Sequence, residues 1–150
     1  MSWKEALESF LENLFNEEGR ACRAEFWWVQ LFWLIFVVVV TIFQVFVLEG
    51  IFSLYEFSAV LNNGIGYVGV AFLMSVSIRR MHDTNRSGIW YFMPVILIPV
   101  SLFVFWIEIL ESFWKVFLLP GISVIVFYVF ASLPGDKNEN KYGKNPLLKN

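Results

Sequence analysis

The sequence predicts an all-α, polytopic membrane protein with four transmembrane helices and an N-terminal amphipathic helix at the interface. Of the 150 residues, 58% are hydrophobic and 19% aromatic, with a mean hydropathy of +0.63, far from soluble globular usage. Four stretches almost free of charge are long enough to cross a bilayer. A crossing takes about 20 mostly apolar residues, because the hydrocarbon is about 30 Å thick and a helical residue rises about 1.5 Å. Basic residues crowd into alternate connecting segments, the pattern of a chain that crosses repeatedly. Residues 1–150 are read as a single membrane domain.

The elements follow in order. Residues 3–15, "WKEALESFLENLF", carry Trp3, Leu7, Phe10, Leu11 and Leu14 along one helical stripe, with Lys4, Glu5, Glu8 and Glu12 opposite. This predicts an interfacial helix; its acidic polar face points to packing on the rest of the protein rather than attraction to anionic lipid. Residues 26–48 form the first span, broken only by Gln30, Thr41 and Gln44. It is too long for a signal-peptide core and has no small-residue cleavage site, so it is expected to be a retained anchor. The second span, residues 60–78, carries Asn62, Asn63, Gly64, Gly66 and Gly69, and its start is open between Ile51 and Ile65. Gly66, Gly69 and Ser75 would let helices approach closely. Residues 89–107, interrupted only by Ser101, form the third span, and residues 116–133 the fourth, stopping at Pro134-Gly135. Residues 134–150 are a polar tail. Trp27, Trp28, Trp90, Tyr91, Trp106 and Trp114 fall near span ends, where amphipathic rings anchor at headgroup level.

Orientation follows from the basic residues. Lys4, Arg20 and Arg23 precede the first span, Arg79, Arg80 and Arg86 follow the second, and Lys137, Lys141, Lys144 and Lys149 follow the fourth. The other two loops hold only Lys115, beside Glu49, Glu56, Glu108 and Glu111. Ten of the eleven basic residues therefore fall on one side, which predicts both termini in the cytoplasm.

One stretch concentrates the polar chemistry. "SIRRMHDTNRSGIWYF" packs Arg79, Arg80, His82, Asp83 and Arg86 into eight positions and holds the chain's single histidine. With "GRACRAEFWW" (residues 19–28) and "NKYGKNPL" (residues 140–147) it makes three patches in order around four spans. Together these resemble the glycine-arginine motif, the central arginine and His-Asp loop and the asparagine-tyrosine-glycine tail of bacterial inner-membrane proteins grouped as domain-of-unknown-function family 805. The resemblance covers nearly the whole chain and implies a small four-span protein of the bacterial inner (cytoplasmic) membrane. It implies no activity, cofactor or substrate. The chain departs from the family pattern at Ile89, where Trp is usual, at Asn85, where Gly is usual, and at Lys144, where Pro is usual.

Topology brings the three patches to one membrane face. The candidate site comprises Arg20, Arg23, Arg79, Arg80, His82 and Asp83, with Tyr142 and Asn145 of the tail as a lid. On helices Arg20 and Arg23, and Arg79 and Asp83, would share faces, and an Arg79–Asp83 pair would contribute a few tenths of a kcal/mol, roughly. Asp83 or Ser87 would satisfy backbone amides ahead of the third span. The arginines serve orientation and snorkelling on one reading. On another, their planar forks clamp a phosphate, a phospholipid headgroup or a phosphorylated small molecule. A membrane-protein partner or a homo-oligomer is a further reading, and the tail is either solvated or folded back through Asn140, Tyr142 and Asn145.

Other classes fare less well. His82 next to Asp83 suggests an enzyme acting on a phosphorylated lipid, yet adjacent helical residues point about 100° apart and no nucleophile motif or phosphate-cradling loop accompanies them. The spans hold no ionisable group at mid-membrane, which argues against a small transporter or oligomeric channel. Cys22 is alone, so neither a disulfide nor a thiolate metal site is expected, and a cage from Glu18, Glu25 and Asp83 would sit among opposing arginines. The net charge of −2 does not suit nucleic acid. The sequence thus predicts a non-enzymatic membrane protein without cofactor or metal.

Overall fold

The computed structural model describes residues 1–106 and 113–148, all of it helix and connecting turns. The expected end of the third span at residue 107, and Glu108 and Glu111, lie outside the described residues, as do the side chains of Trp106, Trp114 and Lys115.

The first helix, α1 (Trp3–Glu12), begins where Ser2 and Glu5 cap each other: Ser2 Oγ accepts from the Glu5 amide at 3.3 Å, and the Glu5 carboxylate accepts from the Ser2 amide at 2.9 Å. It buries Ala6 and Phe10, and Phe10 meets Phe72 edge-on at 4.7 Å. The packed face is rotated from the sequence stripe, since Trp3 and Leu11 stay exposed. The next helix, α2 (Arg23–Phe43), is capped by Cys22 and runs on into a π-helical segment, Gln44–Glu49. Together these 27 residues have a mean hydropathy of 2.9 over their most apolar window.

Helix α3 (Tyr55–Asp83) starts before and ends after the stretch its hydropathy marks out, so Arg79 to Asp83 are its last turn rather than a loop. The extension is possible because each polar side chain there meets an oppositely charged or hydrogen-bonding neighbour, described below. Helices α4 (Ile89–Trp106) and α5 (Phe113–Ser132) complete the chain, with Pro94 and Pro99 inside one and Pro120 inside the other. Among the described residues two helices, Arg23–Glu49 and Tyr55–Asp83, are long and apolar enough to cross a membrane; the apolar runs Ile89–Phe103 and Pro120–Ser132 are shorter.

The core gathers toward one end, around Phe10, Phe26, Val29, Val76, Met81 and Phe127. Beyond it the apolar side chains face outward. Within α2 only Glu25, Phe26 and Val29 are buried, while Leu34, Ile35, Val38, Val39 and Ile42 are exposed along its length. Such continuous apolar surface suits hydrocarbon and not water. Gly69 lets α3 touch α2: a Cβ there would stand 2.5 Å from the Trp33 ring. Gly66 faces open space instead, so only part of the expected small-residue surface is an interface. Tyr91 is likewise no interfacial anchor, because it is buried and its hydroxyl donates to the Val70 carbonyl of α3.

Candidate functional site

Where α3 and α5 end, backbone carbonyls run out of helical partners. Arg80, 0% exposed, supplies donors to those at the end of α5. Its Nε donates to the Ala131 carbonyl at 2.9 Å, and its terminal nitrogens donate to the carbonyls of Leu133 and Ala21 and to the Asp83 carboxylate. A cation at this place also complements the negative end of the α5 dipole. The Ala21 amide returns the contact by donating to the Arg79 carbonyl at 3.0 Å, so the segment before α2 is strapped to α3 from both sides.

Arg20 does for the tail what Arg80 does for α5. Its Nε donates to Asp83 Oδ1 at 2.9 Å, and its terminal nitrogens reach the carbonyls of Asp136, Asn138 and Gly143. Asp83 therefore lies between two guanidinium groups, and its own carbonyl accepts from the Asp136 amide at 2.8 Å. Gly135 makes this approach possible, because a Cβ there would collide with the Asp83 carboxylate. Arg79, one position round the helix from Arg80, points instead to α2 and pairs with buried Glu25 at 2.7 Å. Its Nε is buried without an acceptor among the described residues.

His82 occupies the remaining face. Its Nδ1 lies 3.1 Å from the Gly19 carbonyl, and since a carbonyl only accepts, Nδ1 carries the hydrogen. The ring stacks on Tyr142 with centroids 3.8 Å apart and planes within 6°, and the His82 carbonyl accepts from Asn140 Nδ2 at 3.0 Å. Asn140 and Gly143 exchange backbone hydrogen bonds to close the tail turn, where Gly143 has φ 122. Beside the stacked pair lies an open cleft of about 700 Å³, lined in part by Glu17, Glu18, His82, Ser87, Lys141 and Tyr142.

The expected site residues thus separate into groups. Arg20, Arg79, Arg80 and Asp83 are buried and bound to one another's segments. The expected Arg79–Asp83 pair does not form: Glu25, from another helix, takes Arg79, and Asp83 is held by Arg20 and Arg80. Asp83 is taken up by Arg20 and Arg80 and His82 Nδ1 by the Gly19 carbonyl, so the two neighbours make no dyad. Asp83 caps no amide of α4; Ser87 does, accepting from Ile89 at 3.4 Å. Asn145 organises the tail, donating to the carbonyls of Asp136 and Lys137. Arg86 donates to the Thr84 carbonyl and lies over the Phe130 ring at 4.2 Å. Arg23 alone among the described arginines is exposed and donates to no acceptor there. Asn85 has φ 59, the left-handed region that asparagine and glycine enter at least cost.

Sequence reasoning weighed Glu25 only as part of a cation cage and not as the partner of Arg79, and it missed Gly135 and Asp136 as members of the cluster. Glu25 left a usable signal, a carboxylate at the rim of an apolar span, where a charge needs a partner. Gly135 and Asp136 left none, since their role lies in the chain's return to α3. Among the described residues no three His, Cys, Asp or Glu side chains converge on a common point.

A helical bundle with apolar flanks, bound at one end by buried arginines, defines a membrane-protein class rather than a reaction class. The chain belongs to the family described as "Protein of unknown function (DUF805)", which it matches over residues 14–144. It is 28% identical over 145 residues to inner membrane protein YhaI of Escherichia coli strain K12, covering 92% of each chain, and equally to the YhaI of Escherichia coli O157:H7. No solved structure matches.

Proposed function

We propose that the chain is a four-span protein of the bacterial inner membrane, with both termini on the cytoplasmic face, that recognises an anionic lipid headgroup there without catalysing a reaction. The observation that carries this reading is the meeting of residues 19–25, 79–83 and 131–143 in one buried arginine cluster. That meeting draws the start of α2, the end of α3 and the end of α5 to one end of the bundle, the arrangement expected of two hairpins entering and leaving on the same side. The exposed aliphatic flanks of α2 and the printed name of the YhaI relatives support the membrane setting. The basic residues of the three segments favour an anionic ligand.

Internal pairing of Arg20, Arg79 and Arg80 with carboxylates and carbonyls supports a structural role for these three, and a recognition role for the surface they hold in place. Asp83 turned to Arg20 and Arg80, and not to His82, weighs against the enzyme reading. The test is co-purification in mild detergent from membranes of known lipid composition. Enrichment of anionic phospholipid over its bulk share is expected; retention in proportion to bulk composition would sink the recognition reading.

A further inference from the structure

We propose that Arg23 seats the phosphate of an anionic membrane phospholipid, whose acyl chain lies along Trp27 and Leu31 in the groove between α2 and α5. This rests on the headgroup reading above and names its place. Two clefts meet at Arg23 and Ala24. One, about 470 Å³, is lined by Trp27, Trp28 and Leu31 of α2 and by Ser132 of α5. The other, about 440 Å³, includes Lys137 and Asn145 of the tail beside Asp83 and Asp136.

Charge and spacing both point to a phospholipid. Arg23, Trp27 and Leu31 are spaced i, i+4 and i+8, so they stack on one helix face over about 12 Å of rise. The order is cation, then amphipathic ring, then aliphatic chain, the order of phosphate, glycerol and acyl groups going into a leaflet. Trp27 and Leu31 are 43% and 41% exposed, and Trp27 is braced from behind by Tyr128 of α5, their rings 6.0 Å apart. Of the two acidic groups in the second cleft, Asp83 is neutralised by Arg20 and Arg80, and Asp136 keeps its charge while its Oδ2 accepts from Asn140 at 3.0 Å. Lys137 is exposed beside them.

The experiment is native mass spectrometry of the full chain, exchanged from detergent into phosphatidylglycerol or phosphatidylcholine of matched acyl chains, with glycerol phosphate as a headgroup lacking chains. Wild type is expected to retain phosphatidylglycerol in preference, and Arg23→Gln to weaken that retention about tenfold, the worth of one charge-assisted hydrogen bond. Trp27→Ala should lower phosphatidylglycerol retention too, and thermal unfolding should show both variants folded as wild type. Equal retention by wild type and Arg23→Gln overturns this seat while leaving headgroup recognition standing. Equal retention of the two lipids by wild type overturns both. Glycerol phosphate competing as well as the full lipid overturns the acyl groove and makes the occupant a free phosphate ester.

Discussion

Arg80 illustrates why lysine is no substitute inside this cluster. Its fork reaches three carbonyls and one carboxylate from different directions, and a lysine ammonium has three donors at a single point. Arg80→Lys is therefore expected to destabilise the fold by about 1–3 kcal/mol for each carbonyl left without a donor, read as a lowered thermal midpoint in detergent, although the charge and the topology signal are kept. An unchanged midpoint would return Arg80 to a role in orientation alone. Gln44 predicts the opposite sign. Both of its side-chain polar atoms are buried without partners among the described residues, so Gln44→Leu should stabilise by about 1–3 kcal/mol. A loss of stability there would mean that the amide has a partner, such as buried water.

The tail is the element whose behaviour the structure alters most. Its composition is polar and turn-rich, yet Arg20 binds three of its carbonyls and Tyr142 lies flat on His82. Limited proteolysis should leave residues 136–145 intact in the wild type, and Arg20→Ala should expose them to rapid cleavage. Equal cleavage of both forms would show that the tail is held by something other than Arg20. Packing between α2 and α3 includes one especially close approach, Gly69 on Trp33, beside the Arg79–Glu25 pair and the Trp33–Phe72 ring contact. Gly69→Leu should force these helices apart and lower the thermal midpoint, whereas Gly66→Leu, which meets open space, should leave it near wild type.

For the whole molecule, the convergence of three distant segments predicts a single sidedness. Single cysteines at Arg86 and Lys141, placed in a chain with Cys22 replaced by Ser, should react with a membrane-impermeant thiol reagent only from the cytoplasmic side. Labelling of the two positions from opposite sides would overturn the arrangement of spans. The arginine cluster and the lipid-facing flanks then divide the work. Burial of polar groups fixes the ends of the helices where hydrogen-bond acceptors are free, and dispersion at sites such as Gly69 and Trp33 packs their middles.

Much of this architecture was readable from composition and periodicity alone. Apolar length does not depend on neighbours, so the existence of the helices, the all-α class, the membrane setting and the placing of the three polar patches at one end follow from the sequence by itself. Pairing does depend on neighbours. That Arg79 would choose Glu25, that α3 would continue through the arginines to Asp83, and that Gly135 would admit the Asp83 carboxylate were decided only when separate segments met. A buried charge stays helical or leaves the helix according to the acceptors it finds, and apart from Asp83, three residues from Arg80, those acceptors lie here 51 to 123 residues away along the chain, as Arg80 to Ala131 and Arg20 to Gly143 show. The same satisfaction of the inner arginines left Arg23 exposed, a distinction between identical side chains that only the tertiary structure makes.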